Sequence, residues 1–139
     1  MKLPVIDASV ALKWFFPEEN SAIARSFLSE RNQFVVPDLF WIETSNIISK
    51  KVRKSELSIK EAERIIQILE NMNFVTISFD QIKAEAFFIS TRFSITLYDA
   101  CYLAVAVNYE GNLFTADIRM SNEIKKTAYK EFVTSINDL

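Results

Sequence analysis

Short apolar runs alternate along this chain with longer amphipathic ones, and that rhythm constrains the fold more than any other feature of the sequence. The short runs, rich in Val, Ile and Phe, read as strands. The longer stretches repeat their apolar residues at three- and four-residue spacing and read as helices. Strand and helix in alternation build an α/β fold with a mainly parallel sheet. The strands are expected at Leu3 to Ile6, Phe34 to Val36, Phe74 to Ser78, Leu113 to Thr115 and Phe132 to Ser135. That makes a sheet of about five strands, in a chain of 139 residues expected to form one domain over 1–139.

Local signals place the helices. Ser9 is a suitable N-cap for a short helix through Trp14 that Pro17 ends, and a second helix runs from Asn20 to Glu30. Pro37-Asp38 opens a helix to about Lys54, with Leu39, Ile42, Ile47 and Ile48 among its buried candidates. Ser58 and Glu61 form a capping box before an apolar stripe of Ile59, Ala62, Ile65, Ile66 and Leu69. Asp80 is expected to cap a helix to about Arg92. Thr96 to Tyr109 reads as a strongly apolar helix, and Gly111 suits the left-handed turn after it. Trp14, Phe15 and Phe16 cannot all face the core of so short a first helix. They are candidates for the wall of a partner-binding groove, with burial in a homodimer or under the second helix as the alternative.

Several chemistries are excluded by absence. Without His there is no His-based acid–base catalysis and no Ser-His-Asp triad. The single Gly rules out Gly-rich phosphate loops, and the single Cys, Cys101, rules out an internal disulfide or a thiolate metal cluster. Carboxylate chemistry is what remains. The net charge of −2 means that any contact with a polyanion must come from a local patch. The N-terminal stretch reads as strand and helix, not a signal peptide, and Ala100 to Val107 is far too short to cross a bilayer. A cytoplasmic protein with no membrane role is expected.

Four acids stand where strands hand over to helices or where a helix turns inward: Asp7, Glu43, Asp99 and Asp117, each with apolar neighbours. A carboxylate in such surroundings is costly unless its charge is compensated. Two carboxylates about 4 Å apart repel by roughly 4 kcal/mol at an effective dielectric of 20, so a cluster needs raised pKa values or a bound cation. A hard, oxygen-seeking ion, Mg2+ or Mn2+, suits such donors. Bland roles compete: Asp99 with Thr96 in a capping box, Asp117 as a helix cap, and Glu43 paired with a lysine. For Asp7 the competing role is a pairing with Lys13.

Read together, Val5-Ile6-Asp7-Ala8-Ser9-Val10-Ala11-Leu12-Lys13-Trp14, Glu43-Thr44-Ser45-Asn46, Tyr98-Asp99-Ala100-Cys101-Tyr102-Leu103-Ala104 and Thr115-Ala116-Asp117 resemble the PIN-domain family. The similarity is greatest to the VapC-like toxins of type II toxin–antitoxin pairs, and it extends over the whole chain. It implies a three-layer α/β/α fold and an endoribonuclease that depends on Mg2+ or Mn2+. By that resemblance Asp7, Glu43, Asp99 and Asp117 are the catalytic acids. Asp7, Asp99 and Asp117 are the metal ligands, Asp7 and Asp99 most directly, with Glu43 and Asp117 each as ligand or general base, and Ser9, Asn46 and Thr115 orient the acids or their waters. Arg119 and Met120 stand where some relatives carry a further acid. Hydrolysis by a metal-activated water would leave a 5′-phosphate and a 3′-hydroxyl. The resemblance further implies an RNA substrate, a cognate VapB-like antitoxin and a homodimer.

The alternatives within the family are an RNA-processing nuclease that is not a toxin, and a non-catalytic module that binds RNA or protein. Outside it, a phosphoacceptor receiver domain would need paired acids after the first strand, where Asp7 stands alone, and an Asp-x-Asp phosphatase fails on Ser9. Lys50, Lys51, Arg53 and Lys54, at the end of the helix carrying Glu43, are the candidates for RNA-backbone contact, with Lys125, Lys126 and Lys130 weaker ones. Favourable placement of cations at a helix C-terminus is the competing explanation of that run.

Overall fold

The structure, a computed structural model, describes residues 2–30 and 33–139. The elements run β1 (Leu3–Ile6), α1 (Ala8–Leu12), α2 (Ser21–Glu30), β2 (Phe34–Pro37), α3 (Leu39–Arg53), α4 (Ile59–Asn71), β3 (Phe74–Ile77), α5 (Phe79–Arg92), α6 (Leu97–Asn108), β4 (Gly111–Thr115), α7 (Ile118–Lys125) and β5 (Val133–Ser135). The five strands form one sheet in the order β3-β2-β1-β4-β5, and every neighbouring pair is parallel. Parallel strands must be covered on both faces, which is why β1, β2 and β4 are almost wholly apolar and buried.

Chain direction then assigns the layers. From β1 the chain steps outward to β2 and β3 and then returns past β1 to β4. Right-handed crossovers therefore put α1 to α4 on one face and the tightly paired α5 and α6 on the other. The result is a three-layer α/β/α arrangement. Its topological switch lies between β1 and β4, and the crevice at the carboxyl ends of those strands is where α/β sheets hold ligands.

The cores of the elements lie where the periodicity puts them, while some ends and faces differ. Asp7, not Ser9, is the N-cap of α1, because its Oδ1 accepts the Val10 N–H at 3.0 Å. Asp80 sits inside the first turn of α5, paired with Lys83 at 2.6 Å, and Ser78 occupies the cap position. The Ser58–Glu61 capping box forms as expected. Ile42 is 68% exposed, since it faces away from the buried side of α3 defined by Phe40, Thr44 and Ile48. Ile59, at the first position of α4, is likewise exposed.

Gly111 does not turn. Glu110 takes the left-handed conformation at φ 51°, and Gly111 begins β4 opposite Leu3. A Cβ there would lie 2.8 Å from the Leu3 carbonyl oxygen and 3.1 Å from Val5 Cγ2, so glycine lets the two central strands meet. Trp14 is core, not groove wall. It donates its indole N–H to the Ala24 carbonyl at 2.8 Å and packs 5.3 Å from the Phe34 ring, while Phe15 and Phe16 are half-buried.

Candidate active site

Four separate segments each deliver one acid to the same place. β1 ends at Ile6 and releases Asp7, and β4 ends at Thr115 and releases Asp117 two residues on, so adjacent parallel strands present both carboxylates at one end of the sheet. α3 supplies Glu43 from its second turn and α6 supplies Asp99 from its first. Asp7, Glu43, Asp99 and Asp117 line one cleft of about 170 Å³ together with Ala8, Ser9, Ile47 and Tyr102. No Lys or Arg is among the lining residues, so opposite charge does not explain the gathering.

Each acid is held by its own partners. Asp7 Oδ1 accepts the Ser9 hydroxyl at 2.6 Å and the Val10 N–H at 3.0 Å, and Thr115 also donates to this carboxylate. The Thr115 oxygen in turn accepts the Asp117 N–H at 3.0 Å, so one hydroxyl ties the first acid to the loop of the fourth. Asp117 Oδ1 caps α7 by accepting the Met120 N–H at 3.0 Å. The Asp99 N–H caps α6 on Thr96 Oγ1 at 3.1 Å, and the Thr96 hydroxyl also donates to the Asp99 carboxylate. Capping and cleft-lining are thus compatible at Asp99 and Asp117. Lys13 pairs with Glu18 at 3.8 Å and not with Asp7.

Glu43 has no lysine partner among the described residues. Instead the Tyr102 hydroxyl donates to Glu43 Oε1 at 2.6 Å. Burial and the neighbouring carboxylate push the Tyr102 phenol up, so it stays protonated as a donor. Tyr102 and Ile47 were given no site role from the sequence. The signal was there, since each lies three or four residues beyond an acid on its own helix and so shares that acid's face. Spacing alone does not decide the matter, since Asn46, also three residues beyond an acid, is exposed and absent from the lining.

Crowding like charges in a half-buried cleft moves the titrations upward. Burial, then the charges of Asp117 and Asp7, push Asp99 from 3.8 to about 6, against opposing contributions from Thr96 and Arg119. Burial also raises Asp7 and Glu43, helped by the charges of Glu43 and Asp99 respectively. Cys101 is a buried, unpaired thiol pushed up to about 11 by burial and the nearby acids, as befits a core residue. The donor set is all oxygen, which suits a hard cation. Among the described residues no three acids or thiols are arranged as a ready cage, so such an ion would be held by one or two carboxylates and complete its shell with water, as magnesium characteristically does.

The candidate cations beside the site divide. Lys51 Nζ lies over the Phe16 ring at 4.5 Å, and Arg53 Nη1 donates to Ser49 Oγ at 2.6 Å. Lys50 and Lys54 are exposed and carry no ion pair or side-chain hydrogen bond among the described residues. Lys125 and Lys126 pair with Asp138 and Glu123. No helix among the described residues is long and apolar enough to cross a membrane.

Comparison with known proteins agrees with this fold. The PIN domain family model matches residues 5–125. Ribonuclease VapC3 of Pyrobaculum aerophilum is 30% identical over 125 residues, which cover 88% of this chain and 95% of that protein. A toxin–antitoxin complex from Klebsiella pneumoniae contains a chain of similar fold, with a TM-score of 0.68 and 15% identity over 96% of this chain and 97% of that one. The crystal structure of VapBC2 from Rickettsia felis, bound to a DNA fragment from their promoter, gives a TM-score of 0.68 at 13% identity over 96% and 98%. The two structures speak for the fold and the first two matches for descent: the chain belongs to the PIN-domain family.

Proposed function

We propose that this chain is a divalent-metal-dependent endoribonuclease and acts as the toxin of a toxin–antitoxin pair. One observation carries the reading: Asp7, Glu43, Asp99 and Asp117 arrive from four separate segments at one cleft that no Lys or Arg lines. A purely structural explanation would have to account for a cluster that raises the pKa of its own members. The similarity to a ribonuclease over 95% of that protein's length supports the same conclusion.

Asp7, Asp99 and Asp117 would hold the ion, one or two of them directly and the rest through bound water. When bound, Mg2+ or Mn2+ supplies Lewis acidity, lowering the pKa of water and neutralising charge that builds on the phosphate. Ser9, Val10 and Thr115 hold Asp7 in one orientation, so it needs little reorganisation. Tyr102 does the same for Glu43 by occupying Oε1, which leaves Oε2 to accept a proton from an attacking water. The raised pKa of Glu43 makes it a better base than an ordinary carboxylate. Asn46 has no place in this arrangement.

The toxin reading draws support from a solved structure of similar fold that is described as a toxin–antitoxin complex. It carries a VapB-like antitoxin as partner and the cytoplasm as location. It also carries a homodimer, for which the apolar groove formed by Leu39, Trp41, Ile42, Phe79, Leu97 and Tyr98 is the supporting surface. The test is incubation with labelled RNA with and without EDTA. Cleavage only in added Mg2+ or Mn2+ is expected, and undiminished cleavage in EDTA would overturn the metal-dependent reading. Expression without an antitoxin should arrest growth; normal growth under an active enzyme would point to RNA processing instead.

A further inference from the structure

We propose that single-stranded RNA runs from the acidic cleft along α3, with its phosphates held by Lys50 and Lys54, while Lys51 and Arg53 lie outside the path. The inference rests on the ribonuclease reading of the cleft and names the route by which that substrate approaches it.

Helix geometry separates the four cations. At 3.6 residues per turn, Lys50 and Lys54 fall within about 20° of Glu43 around the axis, whereas Lys51 and Arg53 fall about 80° to either side. With a rise of 1.5 Å per residue the two aligned lysines stand about 10 Å and about 16 Å from Glu43 along the helix. Ile47, which lines the cleft, lies between them and the acid. The line from the cleft therefore passes over one apolar side chain to two cations.

Their present contacts divide them the same way. Lys51 is half-buried against the Phe16 ring at 4.5 Å, and Arg53 is engaged with Ser49 Oγ at 2.6 Å. Lys50 and Lys54 are exposed and have no partner among the described residues. A polyanion approaching four carboxylates is repelled unless cations flank the site, and in a chain of net charge −2 these are the two unengaged ones aligned with it.

Cleavage of a labelled single-stranded RNA in Mn2+, followed across a potassium chloride series, tests the assignment. Lys50→Ala/Lys54→Ala should raise KM roughly tenfold at about 0.1 M salt, with the maximal rate changed less than twofold. It should also flatten the slope of log KM against log salt by about 1.4, the loss of two single-strand phosphate contacts. Lys51→Ala/Arg53→Ala should raise KM less than twofold. Equal effects of the two double variants would overturn the path. So would an unchanged KM with a lowered melting temperature in Lys50→Ala/Lys54→Ala, which would make these lysines helix-terminal cations only. A wild-type chain that cleaves no RNA would overturn the ribonuclease reading and the path with it, whereas wild-type cleavage with unaltered lysine variants removes the path alone.

Discussion

Replacing Asp99 with asparagine should make the metal-free protein more stable, and only at neutral and alkaline pH. Burial and the charges of Asp117 and Asp7 raise Asp99 from 3.8 to about 6, so the folded state holds this proton more tightly than the unfolded chain does. Between those values the native state binds more protons than the unfolded state, and stability falls as pH rises. The contribution is intact below the unfolded value and fully lost above the folded one. At 1.36 kcal/mol per pH unit the gap corresponds to about 3 kcal/mol. Asp99 is only half-buried, and solvent screening reduces the figure to roughly half. Losing a carboxylate in the first turn of α6 costs about 0.5 kcal/mol of helix-dipole stabilisation. The net gain is about 1 kcal/mol above pH 7, a rise in Tm of about 3 °C for a chain of this size. Urea and thermal unfolding of both proteins in EDTA at pH 4 and pH 8 measure it, with the difference expected at pH 8 and nearly absent at pH 4. An Asp99→Asn variant less stable than wild type at pH 8, or a gap of equal size at both pH values, would refute the crowding of charge.

Divalent metal should reverse this ranking, because the unfolded chain has no assembled site: at 100 times Kd, Mn2+ stabilises the wild type by about 2.7 kcal/mol. Asp7→Asn should abolish that rise and slow RNA cleavage by at least about 10³-fold, near 4 kcal/mol of transition-state stabilisation; a normal rate would remove Asp7 from the site. Tyr102→Phe takes away the bond that lowers the pKa of Glu43, so the acid limb of the pH–rate profile should move upward. An unmoved limb would show that Glu43 does not act as the base. Gly111→Ala should cost about 1–3 kcal/mol in urea unfolding, since the methyl would press on the Leu3 carbonyl, and a neutral result would contradict the close approach of β1 and β4.

Much of this protein is legible along the chain because its signals are local. Short apolar runs mark the strands within a residue or two, and the Ser58–Glu61 box starts α4 where it is expected. The four acids are legible for the same reason: Asp7, Asp99 and Asp117 stand at or beside element boundaries and Glu43 early in α3, where a carboxylate among apolar residues asks for an explanation. Faces and partners are another matter, because they depend on what packs from elsewhere. Ile42 and Ile59 carry the right spacing, yet no element covers them. Gly111 looks like a turn residue until β1 is laid beside it. Asn46 and Ile47 are neighbours in sequence, and only the packing of α3 decides that Ile47 enters the cleft while Asn46 stays exposed. Tyr102 and Glu43 are 59 residues apart, and their hydrogen bond exists because α3 and α6 meet beyond the end of the sheet. The sequence by itself determined which chemistry the chain can perform, since residue types and local periodicity need no partner. The tertiary structure decided which residues stand together, since convergence is a property of elements brought from far apart.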